Sequence, residues 1–186
     1  MKFLPDFSDI KRAHEIIAGY AHNTPVLTSQ AINKITGGDL FFKCENFQKV
    51  GAFKFRGACN AVFSLEMAGG ETGKGVATHS SGNHAAALAL AAKMRGIDAN
   101  IVMPETSPEI KKKAVAGYGA KITYCEPTLK AREETLAKIV SETGATEIHP
   151  YNNFFVIAGQ GTAAKELIEE KGAFDMIMTP VGGGGL

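Results

Sequence analysis

From about residue 75 onward, apolar positions alternate between two rhythms. Short β-rich runs at 75–78, 100–103, 121–124, 147–149 and 175–181 predict strands. Between them the pattern predicts helices over 83–95, 108–116, 128–143 and 157–171. In the third of these, Leu129, Leu136, Ile139 and Val140 share one face at a period near 3.6. Strands separated by single helices imply parallel pairing through crossovers, hence an α/β fold with helices on both faces of the sheet. The first 70 residues are less regular, with a strand predicted at 40–44 and a helix over 55–67.

In such sheets ligands bind beyond the carboxyl ends of the strands, where loops lead into helices. That rule singles out the loops after 75–79 and after 175–181. The second is Pro180-Val181-Gly182-Gly183-Gly184-Gly185. Adjacent glycines adopt backbone angles closed to other residues, so several N–H groups can converge on one anion. The run lacks G-x-G-x-x-G spacing and the Lys-Ser/Thr of a Walker A loop, which weakens dinucleotide and nucleoside-triphosphate readings. The alternative is a flexible tail.

The first loop is His79-Ser80-Ser81-Gly82-Asn83-His84, opening an alanine-rich helix. Free N–H groups there, with hydroxyl and amide donors, suit a carboxylate. An ordinary Asn or Ser N-cap is the alternative. G-x-S-x-G is absent, so a Ser–His hydrolase is disfavoured, and His79 with His84 do not make a metal site. A third segment, 46–58, sets Lys54 between Phe53 and Phe55. Desolvation there would favour the neutral, nucleophilic amine needed for a Schiff base, whereas a surface lysine would merely snorkel.

Composition narrows the classes further. Twenty basic and nineteen acidic residues leave a formal charge of +1, which argues against a nucleic-acid surface. The longest strongly apolar stretch, 85–92, is far short of the roughly 20 residues of a membrane span. The first residues lack a signal-peptide core. Three cysteines without close pairing fit a reducing compartment, so a cytoplasmic location is expected.

Taken in order, Phe53-Lys54-x-Arg56-Gly57-Ala58, Ser80-Ser81-Gly82-Asn83-His84 and Gly182 to Gly185 resemble the fold-type II pyridoxal-phosphate enzymes, the tryptophan synthase β-like superfamily. Tyr124-Cys125-Glu126-Pro127 and Ile157-Ala158-Gly159-Gln160-Gly161-Thr162 are similar to its serine/threonine dehydratase and serine racemase branch. The resemblance implies pyridoxal 5′-phosphate as cofactor, with Lys54 forming the Schiff base and later moving the substrate α-proton. It implies that Phe53 packs near the pyridine ring, Asn83 bonds its 3′-oxygen, and Gly182, Gly183, Gly184 and Gly185 hold the phosphate. Ser80, Ser81, Asn83 and His84 would receive the substrate carboxylate, with Arg132 assisting or simply solvated on its helix.

The implied activity is an ammonia-lyase (dehydratase) converting L-threonine or L-serine to a 2-oxo acid and ammonia. Ser81 stands where racemases carry a serine serving the opposite face, so serine racemase is the alternative. A non-catalytic fragment is the third reading, because members of the family run well past the glycine loop. The resemblance divides the chain into a large domain (1–74 and 151–186), incomplete at its C-terminus, and a small mobile domain (75–150). It also implies a homodimer, and a divalent-metal site only in residues this chain does not contain. Ala52 replaces a usual serine. Val50 and Ala86 replace polar residues of the nucleotide-regulated racemases, which puts ATP regulation in doubt although Lys49 and Tyr118 remain.

Overall fold

The computed structural model describes residues 4–186. Helix α1 (Phe7–Ile17) starts at Asp6, whose carboxylate accepts from the Ser8 and Asp9 N–H groups while its own N–H donates to Asp9, a capping box that satisfies end groups no helix can satisfy internally. Strand β1 (Val26–Leu27) pairs antiparallel with β2 (Phe42–Lys43). Helix α2 (Gln30–Thr36) lies between them, capped by Ser29 and closed by the left-handed Gly37. Two short 3₁₀ turns, Glu45–Phe47 and Lys49–Gly51, then lead into α3 (Lys54–Phe63). Val50 in the second turn is held at φ 59°, a left-handed conformation that a β-branched residue rarely adopts.

The α/β part follows as β3 (Val76–His79), α4 (Asn83–Arg95), β4 (Ala99–Pro104), α5 (Glu109–Gly117), β5 (Lys121–Cys125), α6 (Leu129–Thr143), β6 (Thr146–Glu147) and α7 (Phe154–Lys171). The strands form one parallel sheet in the order β5-β4-β3-β6, with Val76 opposite both Ala99 and Thr146 and Asn100 opposite Lys121. Side chains alternate across it with the period of two that strands impose. Val76, Ile101 and Met103 join the main core with the alanines of α4 and Val115 of α5. Ala77 and Val102 face the other way, onto Leu136 and Ile139 of α6. Helices therefore cover both faces, as the α/β pattern predicts.

Helix α3 is buried along almost its whole length, between α4 and α7. Its close approach to α7 depends on two glycines. A Cβ on Gly57 would lie 2.6 Å from the Val156 carbonyl oxygen, and one on Gly159 would lie 2.7 Å from the Arg56 carbonyl oxygen and from Gly57 Cα. Beside this contact sits the fully buried Arg56. Its guanidinium donates to Glu45 Oε2 (2.8 Å) and Oε1 (2.9 Å), to Glu166 Oε1 and Oε2 (both 2.7 Å), to Thr162 Oγ1 (3.2 Å) and to the His22 carbonyl (3.3 Å). Lys43 adds a second cation, 2.7 Å from Glu166 Oε2. Burial opposes the charge on Arg56, but the hydrogen bonds and charges of Glu45 and Glu166 outweigh it and raise its pKa. For Glu166, burial is likewise overcome, by Arg56 and Lys43, and its carboxyl sits below the usual range.

Several expectations are corrected. Residues 175–181 form no strand; Met176, Met178 and Val181 are more than 70% exposed. A strand exists only by pairing, and among the described residues 175–181 pairs with neither the β1-β2 ribbon nor the four-stranded sheet. The predicted strand at 147–149 shifts to Thr146–Glu147, putting His149 in the following loop. Helix α3 ends at Phe63 instead of 67, the chain continuing into a short 3₁₀ turn, Glu66–Ala68. Helix α7 begins three residues early, at Phe154, because the Asn153 side chain caps the Val156 N–H. Among the described residues no helix is long and apolar enough to cross a membrane. Gly159→Ala is expected to lower unfolding stability by about 1–3 kcal/mol through overpacking, while Gly38→Ala, which meets open space, stays near the parent in urea melts. An unchanged midpoint for Gly159→Ala would remove the α3–α7 contact as a constraint.

Candidate active site

Lys54 is the first residue of α3, and its ammonium donates to the Pro150 carbonyl at 2.8 Å. The same ammonium lies 5.2 Å from the centre of the Phe53 ring, Phe53 being the residue that caps the helix. Burial lowers the Lys54 pKa, so the neutral amine is reached at lower pH than for a lysine in water. Pro150 belongs to the loop between β6 and α7, and the next residue, Tyr151, connects Lys54 to the glycine run. A Cβ on Gly183 would collide with the Tyr151 ring, and one on Gly185 would lie 2.8 Å from Tyr151 Cβ. Gly182 and Gly184 face open space, with Gly184 at φ 78°. The bare backbone is thus required on one side by packing and left free on the other for a ligand.

Three histidines surround this point. His149 Nδ1 accepts from the Asn152 N–H (2.9 Å) and the Tyr151 N–H (3.3 Å), which shapes the loop holding Pro150 and Tyr151. Its ring meets Tyr151 edge-on at 4.5 Å and His79 at 6.0 Å. His84, one residue into α4, donates from Nε2 to the Ile148 carbonyl at 3.1 Å, since a carbonyl only accepts. Its Nδ1 is buried without a hydrogen-bond partner in the protein. Burial pushes the His84 pKa down to about 3, with Lys54, His149 and His79 adding smaller contributions in the same direction. Burial also lowers His79 and His149. All three imidazoles beside Lys54 are therefore biased toward their neutral forms.

Ser81 and Arg132 meet elsewhere. They line a cleft of about 280 Å³ with Pro104, Thr106, Ser107, Pro108 and Pro127, all at the carboxyl ends of β4 and β5 or the starts of α5 and α6. Arg132 is also close enough to lower the His79 pKa, which joins the cleft electrostatically to the histidine group. Ser80 Oγ accepts from the Gly82 N–H at 3.3 Å, so Ser80 shapes the loop. Asn83 is exposed and its Oδ1 accepts from Lys111 Nζ at 2.6 Å. With its imidazole committed to Ile148, His84 offers a ligand its backbone N–H. Sequence reasoning missed Pro150, Tyr151, His149 and Lys111. The first three follow β6 directly, so the rule that selected the other loops applied to them too. Among the described residues no group of three or more His, Cys, Asp or Glu side chains is arranged to hold a metal ion.

The sequence profile of the pyridoxal-phosphate dependent enzymes matches residues 17–186. The chain belongs to this family. It is 54% identical over 184 residues to a β-hydroxyaspartate dehydratase of Paracoccus denitrificans (strain Pd 1222), covering 99% of this chain and 58% of that protein. To a serine racemase of Arabidopsis thaliana it is 54% identical over 185 residues, covering 100% and 55%. Among solved structures, maize serine racemase superposes with a TM-score of 0.94 at 48% identity over 98% of this chain and 55% of its own. A threonine deaminase of T.th. superposes at 0.87 and 42% identity, over 97% and 58%. The chain thus spans about half the length of the relatives it matches. The fold is that of type II, in the serine/threonine dehydratase and serine racemase branch, and the family's cofactor is pyridoxal 5′-phosphate.

The residues present fit that cofactor: a desolvated lysine, an adjacent aromatic ring, and a glycine run whose open side leaves room for phosphate oxygens. One pH effect follows from His84. Folded, it stays neutral down to about pH 3, whereas unfolded it takes up a proton below about 6.5. Protons therefore favour the unfolded chain in that window, and stability should fall as pH drops from 6.5 towards 3, by up to about 1.4 kcal/mol per unit from this residue. In urea melts across that range, His84→Gln, which retains an N–H donor, should flatten the slope. An identical slope in the variant would discount the buried imidazole as its source.

Proposed function

We propose that this chain carries the catalytic lysine, phosphate loop and substrate cleft of an ammonia-lyase that acts on β-hydroxy amino acids, L-threonine and L-serine among them. The observation carrying this reading is Lys54: half-buried, lowered in pKa, and joined through Pro150 and Tyr151 to the glycine run. Lys54 would attach the cofactor, Phe53 would flank its ring, Asn83 would donate to its 3′-oxygen, and Gly182 to Gly185 would hold its phosphate. Bound in this way, pyridoxal phosphate supplies an electron sink for the pair left behind when the α-proton departs.

Lys54, as the neutral amine, takes the α-proton from the substrate. Its lowered pKa makes that form more accessible than it is for a lysine in water. N–H groups at the start of α4, with Ser80, Ser81 and Asn83, orient the substrate carboxylate, and the neutral histidines beneath add no competing charge. Loss of the α-proton and of the β-hydroxide leaves an enamino acid, which takes up water and releases a 2-oxo acid and ammonia. Residues 75–150 would move as a small domain over residues 1–74 and 151–186, excluding water from this sequence. The homodimer implied by the resemblance and the cytoplasmic location expected from the cysteines are carried as part of the same proposal.

Two observations bear on substrate and outcome. Arg132 lies in the cleft beside Ser81, so a substrate with a side-chain carboxylate finds a cation there; the Paracoccus relative is named for one, β-hydroxyaspartate. Ser81 itself is exposed to that cleft and supports serine racemisation as the second reading, with the hydroxyl returning a proton to the opposite face. Cofactor-loaded enzyme should release 2-oxo acid from L-threonine, L-serine or β-hydroxyaspartate, and chiral chromatography of the L-serine reaction reads D-serine separately. Lys54→Ala should lose cofactor attachment that borohydride can fix, and should lose at least about 100-fold in rate. D-serine without 2-oxo acid would replace the lyase by the racemase, and borohydride-fixed cofactor in Lys54→Ala would overturn the role of Lys54.

A further inference from the structure

We infer that Lys111 is a positioning residue of the candidate site, acting by fixing the side-chain amide of Asn83. Lys111 lies in the first turn of α5 and reaches back to Asn83, the first residue of α4, where its Nζ sits 2.6 Å from Oδ1. An ammonium only donates, so the oxygen of the amide must face Lys111 and the NH₂ must face away from it. Asn83 is exposed, and among the described residues no other side chain bonds its amide. Removing Lys111 therefore frees a rotor whose two ends offer opposite hydrogen-bonding character.

The neighbouring lysines do not serve this purpose. Lys112 is held by the Glu105 carbonyl (2.6 Å) and Glu109 (2.8 Å), and Lys113 is exposed to solvent. Pro108, the residue that caps α5, lines the cleft shared by Ser81 and Arg132, so the helix bearing Lys111 starts at the edge of that cleft. The inference rests on the reading of Asn83 given above, in which its NH₂ donates to an anionic oxygen of cofactor or substrate. With the amide held, that donor is pre-organised; with the amide free, part of the population presents an acceptor to the same oxygen and repels it.

The test uses the cofactor-loaded enzyme and two readouts besides turnover. One is the absorbance maximum of the bound cofactor, sensitive to hydrogen bonding at its 3′-oxygen. The other is the Kd of L-alanine, which has no β-hydroxyl to lose, measured by spectral titration. Lys111→Met should shift the maximum and weaken alanine binding by about tenfold, the scale of one charge-assisted hydrogen bond. Lys111→Arg should restore both, and Lys113→Met should match the parent, all with parent-like melting temperatures. A parent-like spectrum and Kd for Lys111→Met, beside an altered Asn83→Ala, would overturn the role of Lys111 alone. Parent-like behaviour of Asn83→Ala would instead remove the reading of Asn83 on which the inference rests.

Discussion

The buried guanidinium of Arg56 ties together parts of the chain that share no sheet. Glu45 comes from the turn before α3, Glu166 and Thr162 from α7, Lys43 from β2, and the His22 carbonyl from the segment after α1. Two cations and two carboxylates balance, so the cluster is neutral as a whole and costly to break from one side, on the order of 3–5 kcal/mol for such pairs. Arg56 lies two residues after Lys54 on the same helix. The cluster therefore fixes the first turn of α3, and that turn fixes where the Lys54 amine emerges.

The sheet supplies the other half of the site. Parallel strands β3 to β6 end on one edge, and each loop leaving that edge contributes something: Ser80 to Gly82 after β3, Thr106 to Pro108 after β4, Pro127 and Arg132 after β5, His149 to Tyr151 after β6. The last of these touches both halves, since Pro150 receives the Lys54 ammonium and Tyr151 rests on the glycine run. A loop of three residues thus joins the helix that carries the amine to the segment that suits phosphate.

Much of this was legible in the sequence. The α/β fold could be read because residues 76–147 alternate short β-branched runs with helical periods, and both signals are local. The loops carrying Ser81 and Gly182 to Gly185 could be read because glycine runs and capping residues mark backbone that must do something unusual. Helix α1 was legible as well, since Ile10, Ala13 and Ile17 recur at helical spacing behind the Asp6 capping box, but its eleven residues stand apart from the strand–helix alternation that guided the reading of the rest. The strand expected at 175–181 failed for another reason: its composition suits a strand, but pairing is a property of the neighbour. Lys111 was invisible because its role depends on long-range geometry, 28 residues from Asn83, whereas Tyr151 lay within reach of the strand-end rule and only its packing on the glycines, over 30 residues away, was hidden.

The glycine-to-glycine contact between α3 and α7 limits which side chains the two helices can carry. With Gly57 and Gly159 in mutual contact, neither position can accept a side chain while the other stays where it is. Nor can the helices separate to make room without pulling Arg56 away from Glu166. Packing thus leaves little room for change on the helix that bears the Lys54 amine, whereas the residues lining the cleft sit in the strand-end loops. Substitutions in those loops can reshape the cleft while the Lys54 nitrogen stays where the α3–α7 contact puts it.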